Sequence, residues 1–283
     1  MSDTGKHFGA RLRAAMDEHG PLCVGIDPHP SLLHAWGLPD DPAGLRRFSE
    51  TVISALAGRV AAIKPQSAFF ERHGSAGVAV LESTIRQLRQ SGTLVILDIK
   101  RGDIGSTAAA YADAYLDPAS PLAADAVTAS PYLGFGSLRP MIDTALACGA
   151  GVFVLARTSN PEGGAVQRAV APSGRTVAQT IIDEIAQVNA GFDAMGNVGA
   201  VVGATIGGDP TEPPLDLAGM HGPVLAPGLG AQGARPGDLR SVFGAALPSV
   251  LGAYSREILT SGPEIDALRA AADRAAADLR HNL

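Results

Sequence analysis

The sequence predicts a closed (β/α)8 barrel, and three observations carry that prediction. About eight short apolar runs alternate with stretches of helical periodicity along the 283 residues. Several runs end abruptly in a charged residue, as buried parallel strands do when they emerge into a polar cleft. No compositional break, linker or low-complexity tract divides the chain, so one barrel domain over residues 1–283, with a short helix before its first strand, is expected. An open doubly wound sheet is the competing architecture, but no Gly-x-Gly-x-x-Gly follows the first strand to support its dinucleotide-binding form.

Taken in order, Phe8, Leu12, Ala15 and Met16 recur at helical spacing, which predicts the leading helix over 8–18. Residues 22–28 form the first strand, ending in Asp27, and a helix follows over 43–56. The second strand, 60–65, ends in Lys64. After a turn around Gly74, Val78, Leu81, Ile85 and Leu88 mark a helix over 77–90. The third strand begins at 94 and holds Asp98 and Lys100. The fourth, 124–128, leads to a helix over 138–147, and the fifth, 152–156, to a polar loop and a helix over 177–189. Residues 198–202, 224–226 and 250–251 supply the last three strands, and a helix over 263–279 closes the chain.

The stretch 94–107 carries the densest chemistry. A β-branched apolar run ends in Asp98, Lys100, Arg101 and Asp103. On an extended strand, residues two apart face the same way, so the Asp98 carboxylate and Lys100 ammonium would lie side by side. Gly102 and Gly105 permit a tight turn, and Ser106 or Thr107 can cap the helix expected over 108–115. A lone Asp-x-Lys is commonly a structural ion pair. In a barrel, however, the strands' C-terminal ends converge on one face, where active sites lie. Asp27, Lys64, Asp98 and Lys100 would therefore meet, with Asp103 on the following loop.

Two later stretches would reach the same face. Residues 227–233 read Pro-Gly-Leu-Gly-Ala-Gln-Gly, and Ser255-Arg256 follows the eighth strand. Loops after the last two barrel strands commonly bind phosphate. The glycines would let backbone N–H groups approach an anion, Arg256 adds a planar fork of charged donors, and Gln232 adds a neutral amide. Residues 158–161, Thr-Ser-Asn-Pro, could hydrogen-bond a flat heterocycle and also read as an ordinary turn.

Composition excludes several classes. With 46% hydrophobic and 18% charged residues the chain is globular, and its net charge of −6 leaves no basic field for nucleic acid or an anionic membrane. Any phosphate must be gripped locally. No apolar run approaches the ~20 residues of a membrane span and no secretory signal pattern opens the chain, so a soluble, cytoplasmic protein is expected. Cys23 and Cys148 are too few for a disulfide framework and suit small core positions. The seven histidines are scattered, and Lys64 and Lys100 would repel a cation, so no metal is expected.

Asp98-Ile-Lys100-Arg-Gly-Asp103, with Lys64 on the preceding strand, resembles the Lys…Asp-x-Lys-x-x-Asp tetrad of the orotidine 5′-phosphate decarboxylase family. The likeness runs in order through residues 158–161, 227–233 and Ser255-Arg256, and is greatest for the longer bacterial subgroup, type 2. It implies cofactor-free loss of carbon dioxide from orotidine 5′-phosphate to give UMP, the last step of de novo pyrimidine synthesis. By the same resemblance Lys100 would protonate C6, Asp98 would sit against the substrate carboxylate, and Lys64 would hold the network and the ribose hydroxyls. Asp27 would bind ribose, Ser159 the pyrimidine edge, and Gln232 and Arg256 the phosphate. Asp103 and Thr107 would reach into a neighbouring subunit's site, implying a homodimer with shared active sites. The stretch 163–198 departs from compact members in being longer.

Two rivals remain at this level. A hexulose-phosphate synthase, which shares Asp-x-Lys-x-x-Asp, would need a divalent cation on an enediolate. A non-catalytic barrel would bind a phosphate ligand and leave orotidine 5′-phosphate unconsumed.

Overall fold

Eight parallel strands close on themselves in chain order, with the eighth paired back onto the first. They are β1 (Leu22–Ile26), β2 (Ala62–Pro65), β3 (Leu94–Arg101), β4 (Ala126–Ala129), β5 (Gly151–Arg157), β6 (Val198–Val202), β7 (Val224–Pro227) and β8 (Val250–Tyr254). The structure, a computed structural model, describes residues 7–206, 214–230, 233 and 236–283. The closed order replaces the open sheet as the architecture. Most strand residues are buried, because both faces are covered: the barrel interior on one side and the helices on the other.

The helices are α1 (Phe8–His19), α2 (Pro30–Ala35), α3 (Pro42–Leu56), α4 (Ala68–Glu71), α5 (Gly74–Gln90), α6 (Gly105–Leu116), α7 (Arg139–Cys148), α8 (Gly164–Gln167), α9 (Val177–Asn189), α10 (Leu239–Phe243), α11 (Arg256–Leu259) and α12 (Ile265–Asn282). The reasons for α3 are legible locally. The Asp41 carboxylate accepts the N–H groups of Ala43 and Gly44 at 2.8 and 2.9 Å, and Pro42 fits the first turn. Leu45, Phe48, Val52 and Leu56 then fall on one buried face, each contributing about 1.5–3 kcal/mol by leaving water.

Inside the barrel, Cys23, Ala62, Ile96, Phe153, Val201, Leu225 and Leu251 pack together with Phe8, Leu12 and Met16 of α1. The leading helix therefore packs against the barrel interior, with Phe8 edge-on to Phe153 at 5.8 Å between ring centroids. A side chain at Gly151 would strike the Phe8 ring, at 2.2 Å, so the glycine admits that ring.

Three expectations need correction. Cys148 is exposed, because it ends α7 on the solvent side. Neither Ser106 nor Thr107 caps α6; the helix starts at Gly105, so both lie inside its first turn. On α5, Val80 takes the buried position and Val78 is half-buried. The short helices α2 and α4 were not foreseen, since four to six residues are too few to display a period. Among the described residues no helix is long and apolar enough to cross a membrane.

Candidate active site

The polar centre forms where β1, β2, β3 and β4 end. Lys64 of β2 lies opposite Gly25 of β1, and its ammonium donates to Asp98 Oδ2 at 2.8 Å. Lys100 Nζ donates to Asp98 Oδ1 at 2.5 Å. Asp98 thus bridges two ammonium groups, one buried with it and one, Lys100, whose side chain is 46% exposed towards the cleft.

Regular strand alternation is not what brings Asp98 and Lys100 together. The register between β3 and β4 shifts between Leu97 and Arg101, so the stretch holding both residues bulges out of the ladder. Lys100 itself sits at φ 47°, a left-handed conformation that side chains with a Cβ rarely adopt. Its N–H donates to Thr128 Oγ1 at 2.9 Å, and the Thr128 hydroxyl donates to Asp98 Oδ1 at 2.8 Å. Gly102 lets the chain leave the bulge, since a Cβ there would lie 2.2 Å from the Ser130 carbonyl oxygen. Arg101 turns elsewhere, pairing with Glu71 at 2.6 Å and lying over the Tyr111 ring.

The electrostatics follow from this crowding. Burial alone would raise the Asp98 pKa, but the Lys64 and Lys100 charges and their hydrogen bonds outweigh it and hold the carboxyl well below the usual carboxylate range. Burial likewise opposes the charge on Lys64, yet Asp98 and then Asp27 hold it above the ordinary lysine range. Both groups are therefore ionised at neutral pH. Beneath them, burial pushes the Cys23 thiol up to about 12, which keeps it neutral and unreactive.

These side chains border a cleft of about 290 Å³. Leu155, Val201, Leu225 and Ala253, which pack into the barrel interior, give it apolar walls. Residues 227–229 and Ser255-Arg256 border it as well, and Gly228 and Gly230 adopt the positive φ values, 101° and 69°, that the loop there requires. Asp27 is 7% exposed, and its Oδ1 has no hydrogen-bond partner among the described residues. Arg256 is exposed and makes no ion pair among them. Both border the cleft.

Of the residues singled out by sequence, Asp27, Lys64, Asp98, Lys100 and Arg256 border this one cleft. Asp103 and Thr107 do not; Asp103 Oδ1 accepts the Ile104 N–H at 2.8 Å, and Thr107 is exposed on α6. Ser159 is exposed beside Gly203, and its neighbour Thr158 borders the cleft instead. Gln232 lies outside the described residues. Sequence reasoning missed several cleft residues, the polar ones being Gln66, His29, Thr128 and Tyr254. In the long stretch after β5, Gln167 of α8 accepts the Thr158 N–H at 2.9 Å and donates to its hydroxyl at 2.8 Å.

Comparison with known proteins is consistent across most of the chain. The model of the orotidine 5′-phosphate decarboxylase / HUMPS family matches residues 20–271. The orotidine 5′-phosphate decarboxylase of Salinispora arenicola is 69% identical over 273 residues, covering 96% of this chain and 97% of its own. The enzyme of the same name from Streptomyces coelicolor is 61% identical over 273 residues, covering 96% of this chain and 97% of its own. A crystal structure from Streptomyces avermitilis superposes with a TM-score of 0.93 at 60% identity, covering 98% of this chain and 95% of that one. The OMP decarboxylase of Leishmania donovani is 30% identical with a TM-score of 0.75, covering 97% and 98%.

Proposed function

The chain belongs to the orotidine 5′-phosphate decarboxylase / HUMPS family, and on that premise we propose that the Lys64–Asp98–Lys100 network is the machinery with which it decarboxylates orotidine 5′-phosphate to UMP, the last step of pyrimidine nucleotide synthesis. One observation carries the reading: a single buried carboxylate ties together two ammonium groups, 2.8 and 2.5 Å away, at the edge of the cleft.

The difficulty of the reaction lies in its intermediate. When the bond from C6 to the carboxylate breaks, the electron pair stays on C6 in an sp² orbital that no adjacent carbonyl delocalises. Preorganised charge must stabilise it. Lys100 supplies that charge: its ammonium faces the developing anion, gives it a proton as carbon dioxide leaves, and regains one from solvent. Asp98 holds the ammonium in place, so little reorganisation is needed during the reaction. Asp98 also lies against the substrate carboxylate, while Lys64 keeps Asp98 ionised and reaches the ribose hydroxyls.

The remaining contacts hold the nucleotide. Asp27, with its unpartnered buried oxygen, accepts from a ribose hydroxyl. Arg256, Gln232 and the glycine loop grip the phosphate, Ser159 meets the pyrimidine edge from the exposed loop next to the cleft-lining Thr158, and neither a cofactor nor a metal takes part. Asp103 and Thr107 complete the site of a second copy in a homodimer. That arrangement is supported by Ile104, Tyr132 and Leu133, which are 61%, 79% and 53% exposed on the loops and helix start that follow β3 and β4 beside Asp103. The two free cysteines suit a cytoplasmic location.

The test is direct. Purified protein treated with EDTA is mixed with orotidine 5′-phosphate, and loss of substrate absorbance is followed with UMP identified as product. Turnover without added metal supports the reading; binding without consumption, or restoration only by a divalent cation, would overturn it.

A further inference from the structure

We propose that Thr128 is a positioning residue for this reaction: its hydroxyl holds Lys100 in its left-handed backbone conformation, ties it to Asp98, and thereby sets where the ammonium sits. The proposal rests on Lys100 acting as the proton donor.

A non-glycine residue at φ 47° is strained by about 1–3 kcal/mol and persists only where its surroundings impose the conformation. Here the ladder does not impose it, because the register between β3 and β4 is broken across this stretch. The Lys100 N–H is taken instead by Thr128 Oγ1, at 2.9 Å. A threonine hydroxyl has one proton to donate, and that proton goes to Asp98 Oδ1, at 2.8 Å. The direction of each bond is therefore settled: the hydroxyl accepts from the backbone of Lys100 and donates to the carboxylate.

Asp98 Oδ1 is also the atom that Lys100 Nζ contacts, at 2.5 Å. The four groups form a closed loop in which one hydroxyl restrains the backbone of Lys100 and the partner of its side chain together. Thr128 is well suited to this. It is 1% exposed, so water does not compete, and its branched Cβ restricts χ1 within the strand. Arg101, the neighbouring cation, is turned towards Glu71 and Tyr111 and cannot substitute.

Two variants separate position from packing. Thr128→Val keeps the shape and β-branching while removing the hydroxyl, which strands the Lys100 N–H and takes one donor from Asp98. Thr128→Ser keeps the hydroxyl. We expect Thr128→Val to lower kcat for orotidine 5′-phosphate by about ten- to a hundredfold, the effect of losing a hydrogen bond to a charged group, with KM little changed. Thr128→Ser should recover most of kcat. Assays run well below both melting temperatures keep loss of stability out of kcat, and a crystal structure of Thr128→Val should show Lys100 out of the left-handed region.

An unchanged kcat in Thr128→Val, a Thr128→Ser variant as slow as Thr128→Val, or a loss confined to KM would overturn the proposal. So would a Thr128→Val structure in which Lys100 keeps its positive φ and its contact with Asp98. If the unaltered protein fails to consume orotidine 5′-phosphate, the reaction assignment falls, and the structure of Thr128→Val still decides whether the hydroxyl holds Lys100.

Discussion

Replacing Lys64 by methionine removes the buried half of the Asp98 bridge and leaves a carboxylate whose side chain is 6% exposed. Taking away one partner of a buried ion pair costs about 3–5 kcal/mol, because the other charge stays desolvated. Asp98 keeps Lys100 at 2.5 Å and the Thr128 hydroxyl, so the lower end applies, about 3 kcal/mol. At roughly 2–4 °C per kcal/mol for a chain of this class, the melting temperature should fall by about 6–12 °C. Adding Asp98→Asn removes the stranded charge at constant size and should return most of the loss.

The effect also depends on pH. In the intact protein the Asp98 pKa is depressed, so its stabilisation is present above the ordinary carboxylate range of about 4 and fades as pH falls towards the lower folded value. Lys64→Met makes Asp98 easier to protonate, so the gap between variant and parent should narrow on going from pH 7 to pH 3. Urea unfolding at both pH values measures this. A Lys64→Met protein as stable as the parent at pH 7, or a double variant weaker than the single one, would refute the reasoning.

Three further outcomes are expected. Arg256→Ala should lower kcat/KM by at least about a hundredfold, in line with loss of charge-assisted contacts, and added phosphite dianion should restore part of it; no loss would misplace the phosphate site. The Cys23 pKa is raised from 9.0 to about 12, so neutral Cys23 stabilises the fold fully below pH 9 and that contribution is lost as pH climbs towards 12. Cys23→Ala should therefore show a shallower alkaline decline in urea midpoint than the parent, and an equally steep decline would count against burial as its cause. On the proposed homodimer with shared sites, Lys100→Ala and Asp103→Ala should each be inactive and their mixture should regain about a quarter of the parent's activity, since random exchange makes half the dimers mixed and each holds one intact site; no recovery after subunit exchange would argue against shared sites.

The barrel was legible because each strand is an apolar run of the right length, and because Asp27, Lys64, Asp98 and Lys100 interrupt those runs where the strands end. Their meeting on one face follows from closure alone. How Asp98 and Lys100 meet was not legible: regular alternation predicts contact, yet the contact is made through a bulge and a left-handed lysine, which no local pattern reveals. Thr128 was hidden for a related reason, since a threonine in a short apolar strand reads as strand propensity until its hydroxyl is placed. The bond from Gln167 to Thr158 spans a polar loop with no period to read. That the cleft takes Thr158 and leaves Ser159 exposed depends on a register shift at the end of β5, again beyond the reach of composition or spacing.

The most direct measurement is single-turnover conversion of orotidine 5′-phosphate by Lys100→Ala beside the parent protein, with circular dichroism confirming that both are folded. With the ammonium as stabiliser and proton donor, the parent forms UMP and the folded variant forms none within the assay. UMP produced by Lys100→Ala at a rate near the parent's would contradict it.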